Sequence, residues 1–95
     1  MKLYVLVRRD MTHSQRAVQA GHAVAEYLLK GSNDWENSTL VYLGVKGEHQ
    51  LRTWMTKLSR LGIEYVPWRE PDMNNQITAI ATTATSELFK NVNLL

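Results

Sequence analysis

Residues 8–25, RRDMTHSQRAVQAGHAVA, decide how this chain folds, because they join the end of one kind of element to the start of another. Just before them, Leu3, Tyr4, Val5, Leu6 and Val7 form an unbroken apolar run, the pattern of a strand covered on both faces. Thr12 followed three residues later by Gln15 has the spacing of a capping box, in which each side chain satisfies a backbone N–H that the first helical turn leaves unpaired. A helix is therefore predicted from near His13. At about 100° per residue, Ala17, Ala20, Gly21, Val24 and Leu28 fall on one side of it. Gln15, Gln19, His22 and Glu26 fall within a narrow arc on the other. The expectation is that the small residues sit close on a sheet, that the polar stripe faces away from it, and that Gly31, Ser32 and Asn33 stop the helix.

Outward from that junction, residues 34–37 read as a polar loop carrying Trp35, and Thr39–Val45, TLVYLGV, as a second buried strand. Gly47 and Glu48 open a second helix whose apolar face is Leu51, Trp54, Met55, Leu58 and Leu61. Arg52, Thr56 and Arg60 line its other face with Lys57 nearby, and Gly62 ends it. Residues 63–68 read as a third strand, at an edge because Pro67 cannot donate a ladder hydrogen bond. Residues 76–83 read as a fourth, antiparallel to the third across a short connection, and residues 86–92 as a short amphipathic helix. The predicted fold is a single α/β domain over residues 1–95, a mixed four-stranded sheet in the order β-α-β-α-β-β-α with helices on both faces.

Composition narrows the chemistry. A chain of 95 residues holds one modest core. Without cysteine it has no disulfide, no thiol nucleophile and no thiolate metal ligand, which suits a reducing, cytoplasmic setting. No apolar run approaches the roughly 20 residues that span a bilayer, and no signal peptide is read. Eleven Lys and Arg against nine Asp and Glu give a net charge of +2, a mild excess that suits an anionic partner. Neither a Walker loop nor a GxGxxG follows the first strand, and His13, His22 and His49 have no paired spacing, so neither a metal nor an organic cofactor is expected.

Three groups of residues can carry chemistry. Arg8, Arg9 and Asp10 stand at the carboxyl end of the first strand beside a helix N-terminus, a place where a phosphate or carboxylate can dock and where strand ends also commonly carry such residues. The stripe Gln15, Gln19, His22 and Glu26 is the second; a polar helix face is ordinarily just solvated, but this one lies beside the basic strand end. The third is REPD, residues 69–72, where Glu70 and Asp72 offer acid, base or water-orienting groups and Pro71 equally serves to turn the chain.

Together these residues resemble a known family. VRRDMTHSQRAVQAGHA is similar to the N-terminal signature of the type II, archaeal and eukaryotic type, peptidyl-tRNA hydrolases: a strand, R-x-D, a Gly-Lys pair, then A-A-Q-x-x-H-A on the first helix. The likeness runs along essentially the whole chain, through TLVYLGV, a second helix ending in LGI, and a final strand containing TAIA; REPD replaces the family's D-A-G-x-T loop. By this resemblance Asp10 matches the acidic residue after the first strand, and Gln19, His22 and Ala23 the Q-x-x-H-A segment. Asp72 or Glu70 matches the loop aspartate, and Thr78 the threonine of the last strand. The chain departs from the pattern at Gln15 and Ser14, which stand where the family has its active-site lysine and the preceding glycine.

The resemblance implies hydrolysis of the ester joining a peptide or N-blocked amino acid to tRNA, a reaction that asks for one positioned water and one stabilised oxyanion. Asp72 or Glu70 would orient or deprotonate the water, with His22 as an alternative base. Gln15, Gln19 or a helix N–H would hold the carbonyl oxygen. Arg8, Arg9 and Arg16 would contact phosphates, and Arg52, Lys57 and Arg60 either extend that track or form a solvated helix face. The alternative is a relative that binds tRNA, another RNA or a protein partner without cleaving it. Three Trp and many apolar residues in so small a domain also suit a homodimer.

Overall fold

The computed structural model describes residues 1–32 and 34–95. Strand β1 (Lys2–Arg8) leads into helix α1 (His13–Lys30), then strand β2 (Thr39–Val45), helix α2 (Glu48–Arg60), strand β3 (Val66–Glu70) and strand β4 (Gln76–Thr82). The sheet order is β2-β1-β4-β3. β1 runs parallel to β2, while β4 runs antiparallel to both β1 and β3, so the sheet is mixed as expected. The apolar run proves to be a central strand, bonded on both sides and fully covered, with Leu3, Val5, Leu6 and Val7 at 0% exposure.

Alternation along β1 divides the core. Leu3, Val5 and Val7 meet Ala20, Ala23 and Tyr27 of α1 together with Ala79 and Ala81 of β4. Tyr4 and Leu6 face the other way, onto Leu51 and Leu58 of α2 and Ile77 and Ile80 of β4. Each fully buried Leu or Ile contributes about 1.5–3 kcal/mol relative to leaving it in water. Among the described residues no helix is long and apolar enough to cross a membrane.

Five expectations need correction. Strand β2, expected to be buried, is an edge strand on which only Leu43 and Val45 are buried, because nothing pairs with most of its outer side. The rotational setting of α1 differs: Ala17, Gly21 and Leu28 are exposed, and Gln19, Ala20, Ala23 and Tyr27 are buried instead. The sheet edge thus receives the Gln19 side of the helix, because Gln19 finds polar partners there. Leu61, expected on the inner face of α2, is exposed, since that helix has already ended. Strand β3 begins at Val66, and residues 63–65 only lead into it. The last helix is a single 3-10 turn, Ser86–Phe89, because the chain must extend again to pair along the open side of β2, where Gly44 N donates to Asn93 O (2.9 Å) and Leu95 N to Tyr42 O (3.0 Å).

The helix stops behave as read at two glycines. A Cβ on Gly31 would lie 2.6 Å from Tyr27 O, so only glycine fits where the α1 chain folds back on its last turn. Gly62 takes φ +69 after α2, a left-handed conformation that glycine adopts without strain. The part of the stop assigned to Asn33 lies outside the described residues.

Candidate active site

The site grows from the start of α1. Thr12 and Gln15 form the predicted capping box: Gln15 N donates to Thr12 Oγ1 (3.2 Å) and Thr12 N donates to Gln15 Oε1 (2.9 Å). The box uses only the oxygen of the Gln15 amide, and its Nε2 group stays available to an outside acceptor. One turn further on, Gln19 is 6% exposed, and both ends of its amide are engaged. Thr78 Oγ1 donates to Gln19 Oε1 (2.6 Å), and Gln19 Nε2 donates to Glu70 Oε1 (2.8 Å). The other carboxylate oxygen of Glu70 accepts from Asp72 N (3.2 Å).

Thr78 reaches Gln19 because of a bulge. Trp68 pairs with Ala79 but Arg69 pairs with Ile77, so Thr78 is an extra residue on β4 with no partner across the ladder. Strict alternation from Ala79, on the α1 face, would turn Thr78 toward α2. The bulge lets both residues face α1 and restores Ile77 to the α2 core, where Glu48 Oε2 accepts the Ile77 N–H (2.8 Å). Glu70 comes into reach because the REPD segment is half strand: Arg69 and Glu70 end β3, and Pro71–Met73 form a 3-10 turn followed by Asn74 and Asn75 at positive φ.

The Gln19 N–H holds the Glu70 carboxyl below the usual glutamate range, assisted by the Asp72 N–H and the field of His22. These contacts favour the ionised form of Glu70. His22, one turn after Gln19, stacks on Trp68 with ring centroids 4.4 Å apart and planes 15° apart. Its face is thus occupied by an indole that sequence reasoning did not single out.

Beside these groups lies an open cavity of about 400 Å³, lined by Met11, Ser14, Gln15, Val18, Gln19, Glu70, Asp72 and Met73. Its charged groups are both carboxylates, and its apolar wall comes from Met11, Val18 and Met73. The amide of Gln15 and the carboxylate of Glu70 face one space, so a donor and an ionised acceptor stand ready for a polar group between them. Among the described residues no three His, Asp or Glu side chains gather as a metal site would need.

The basic residues of the junction serve the loop itself. Arg8, expected to be a free phosphate contact, is 7% exposed. Four of its five N–H donors are taken by Asp10 (2.9 and 2.8 Å), Gln76 Oε1 (2.9 Å) and Ile77 O (3.3 Å), so that expectation is corrected: the guanidinium braces β1 against β4. Asp10, placed with it as a substrate contact, is that brace's counter-ion, and the Arg8 hydrogen bonds pull its carboxyl below the ordinary aspartate range. Arg9 donates to Leu94 O, and Arg16 donates to Arg9 O and to Met11 O (3.0 Å). Gln19 and Thr78 are likewise bonded to protein groups. Ser14, Gln15, Gln19, Glu70 and Asp72 are the cavity's polar residues, with His22 set back against Trp68.

No match was found among curated proteins. The sequence model described as "Peptidyl-tRNA hydrolase PTH2" matches residues 1–92, which takes in every strand and helix described above. A family model that spans the capped α1 and the whole mixed sheet covers nearly all of the molecule, and the chain belongs to the peptidyl-tRNA hydrolase PTH2 family.

Proposed function

We propose that the chain releases peptides or N-blocked amino acids from tRNA by activating water on Glu70. The observation that carries this assignment is the hydrogen-bonded series Thr78, Gln19, Glu70, which fixes one carboxylate at the wall of the cavity. Each Glu70 oxygen accepts one protein N–H and keeps a further lone pair for water. Its depressed pKa makes it a weak base, so its part is to hold the water's lone pair toward the ester carbonyl and take the proton as the C–O bond forms. An ester needs no stronger base, because the ribose oxygen leaves far more readily than an amide nitrogen. The oxyanion that develops meets Gln15 Nε2, beside the first turn of α1 that also lines the cavity through Ser14. Asp72 lines the same cavity and helps exclude other anions; His22, stacked on Trp68, adds its field to Glu70 and is not needed as the base.

In this reading Gln15 fills with a neutral donor the place where the resembled family carries a lysine. The apolar wall of Met11, Val18 and Met73 receives the acyl side of the substrate. tRNA binding, a cytoplasmic setting and self-association in a dimer belong to the same proposal. The test is the release of labelled acyl groups from N-acetyl-aminoacyl-tRNA. Multiple turnovers are expected, whereas no release at protein concentrations that saturate tRNA binding would refute the hydrolase assignment.

A further inference from the structure

We infer that a groove beside the C-terminal half of α2 is a second nucleic-acid site, taking backbone phosphates of the tRNA away from the reacting ester. The inference rests on the hydrolase reading above for the identity of the RNA, and on separate residues for its place.

The first argument is charge. The cavity at α1 is lined by two carboxylates and no cation, Arg8 is paired with Asp10, and Arg9 and Arg16, tied to backbone carbonyls, stand outside the cavity lining. The cavity lining itself therefore does not attract a polyanion, and cations elsewhere on the surface must do so. The second helix supplies them: Arg52, Lys57 and Arg60 lie along its exposed side against one acid, Glu48, whose Oε2 accepts from Ile77 N (2.8 Å) and from one Arg52 NH2 group (3.3 Å), so three cations face a single carboxylate. Arg60 has no carboxylate partner among the described residues.

The second argument is shape and donor chemistry. Arg52, Met55, Thr56, Ser59, Arg60 and Tyr65 line a groove of about 380 Å³. Ser59 Oγ and Tyr65 OH are 3.3 Å apart, so one donates to the other and a second O–H remains for an outside acceptor. Two guanidinium groups, spare hydroxyl donors and no carboxylate in the lining select an oxyanion; guanidinium groups match a phosphate's paired oxygens. Lys57, held 4.9 Å from the centroid of the Trp54 ring, adds charge alongside.

The third argument is position. The groove and the cavity lie on opposite faces of the sheet, yet both border β3, its free edge strand. Tyr65 belongs to the groove and Glu70 to the cavity, and an extended chain covers those five steps in about 16 Å. Exposed Arg69 lies between them on β3. One RNA strand crossing that edge touches both.

The test compares the wild type with the double variant Arg52→Ala, Arg60→Ala in binding N-acetyl-aminoacyl-tRNA over a range of KCl concentrations. The expected result is a Kd raised about tenfold at fixed salt. The slope of log affinity against log salt should be shallower by about 1–2. KM for the tRNA ester should rise, while an N-acetyl-aminoacyl ester of adenosine alone, too short to reach the groove, should show no such rise. Lys46→Ala, Lys90→Ala removes equal charge elsewhere and is expected to alter the slope little. Unchanged affinity and slope in the arginine variant, an equal loss in the lysine variant, or an equal loss on the adenosine ester would each overturn the inference. Wild-type protein that binds tRNA but releases no acyl group would defeat the hydrolase reading alone, leaving the salt slopes to judge the groove.

Discussion

The two long helices pack on opposite faces of one sheet, but they bury different things. Toward the sheet core α2 presents Leu51 and Leu58, which meet Leu6, Ile77 and Ile80 through apolar contacts alone, and its one polar link to the sheet, Glu48 with the Ile77 N–H, is at its first residue. Helix α1 presents Ala20, Ala23 and Tyr27, and beside them a glutamine whose amide joins a buried threonine to a carboxylate. Leu51 and Leu58 are held by area alone, which is insensitive to direction. Gln19 is held by two directional bonds, and burying it without them would cost roughly 1–3 kcal/mol. A small domain retains such a group where the geometry it imposes is useful; here the geometry is the placement of Glu70.

Several measurements can break or sharpen this contrast. The largest effect is expected from Glu70→Gln, which removes the proton acceptor but keeps the shape: kcat should fall by about a thousandfold with little change in Tm. Leu58→Ala is expected to do the converse, costing about 3 kcal/mol in urea unfolding through the cavity it leaves while the folded fraction keeps its kcat. Similar losses of activity per folded molecule in both variants would erase the distinction between the helices. Gln19→Leu lies between them. It strands the Thr78 hydroxyl and frees the Glu70 carboxylate, so about 1–3 kcal/mol of stability and about tenfold in kcat should go together.

The smallest effect concerns pH. Glu70 has its pKa lowered in the folded state, first by the Gln19 N–H. Its contribution to stability is therefore present above the unfolded glutamate value and lost as pH falls through the depressed folded value. The acid limb of kcat should accordingly lie below the usual glutamate range in the wild type. It should move up toward that range in Gln19→Leu. A limb that stays in place would show that Gln19 does not hold the ionised form.

The sequence makes much of this fold legible because local signals and packing agree. The apolar run at 3–7, the Thr12–Gln15 box, the glycine stop at Gly62 and the edge position of Pro67 all appear in the structure where their local chemistry puts them, whereas TLVYLGV forms the expected strand but lies at the other sheet edge with only Leu43 and Val45 buried. What was not legible depends on partners distant in the chain. An amphipathicity argument turns Gln19 toward solvent; it is buried because Thr78 and Glu70, 59 and 51 residues away, complete its amide. The bulge at Thr78 leaves no mark in QITAIAT, whose alternation reads as a regular strand. Arg8 looks like a surface cation until Asp10, Gln76 and the Ile77 carbonyl close around it. For the site, Gln19 and the REPD carboxylates could be named from the sequence, but their connection could not, and neither could the Trp68 ring beneath His22.

The central claim is that Gln19 acts through Glu70, and a double-mutant cycle on kcat tests it most directly. If the helix serves to hold the carboxylate, Gln19→Leu should lower kcat about tenfold in the wild-type background and have almost no further effect in the Glu70→Gln background. A full tenfold loss in both backgrounds, with the two effects simply multiplying, would contradict it.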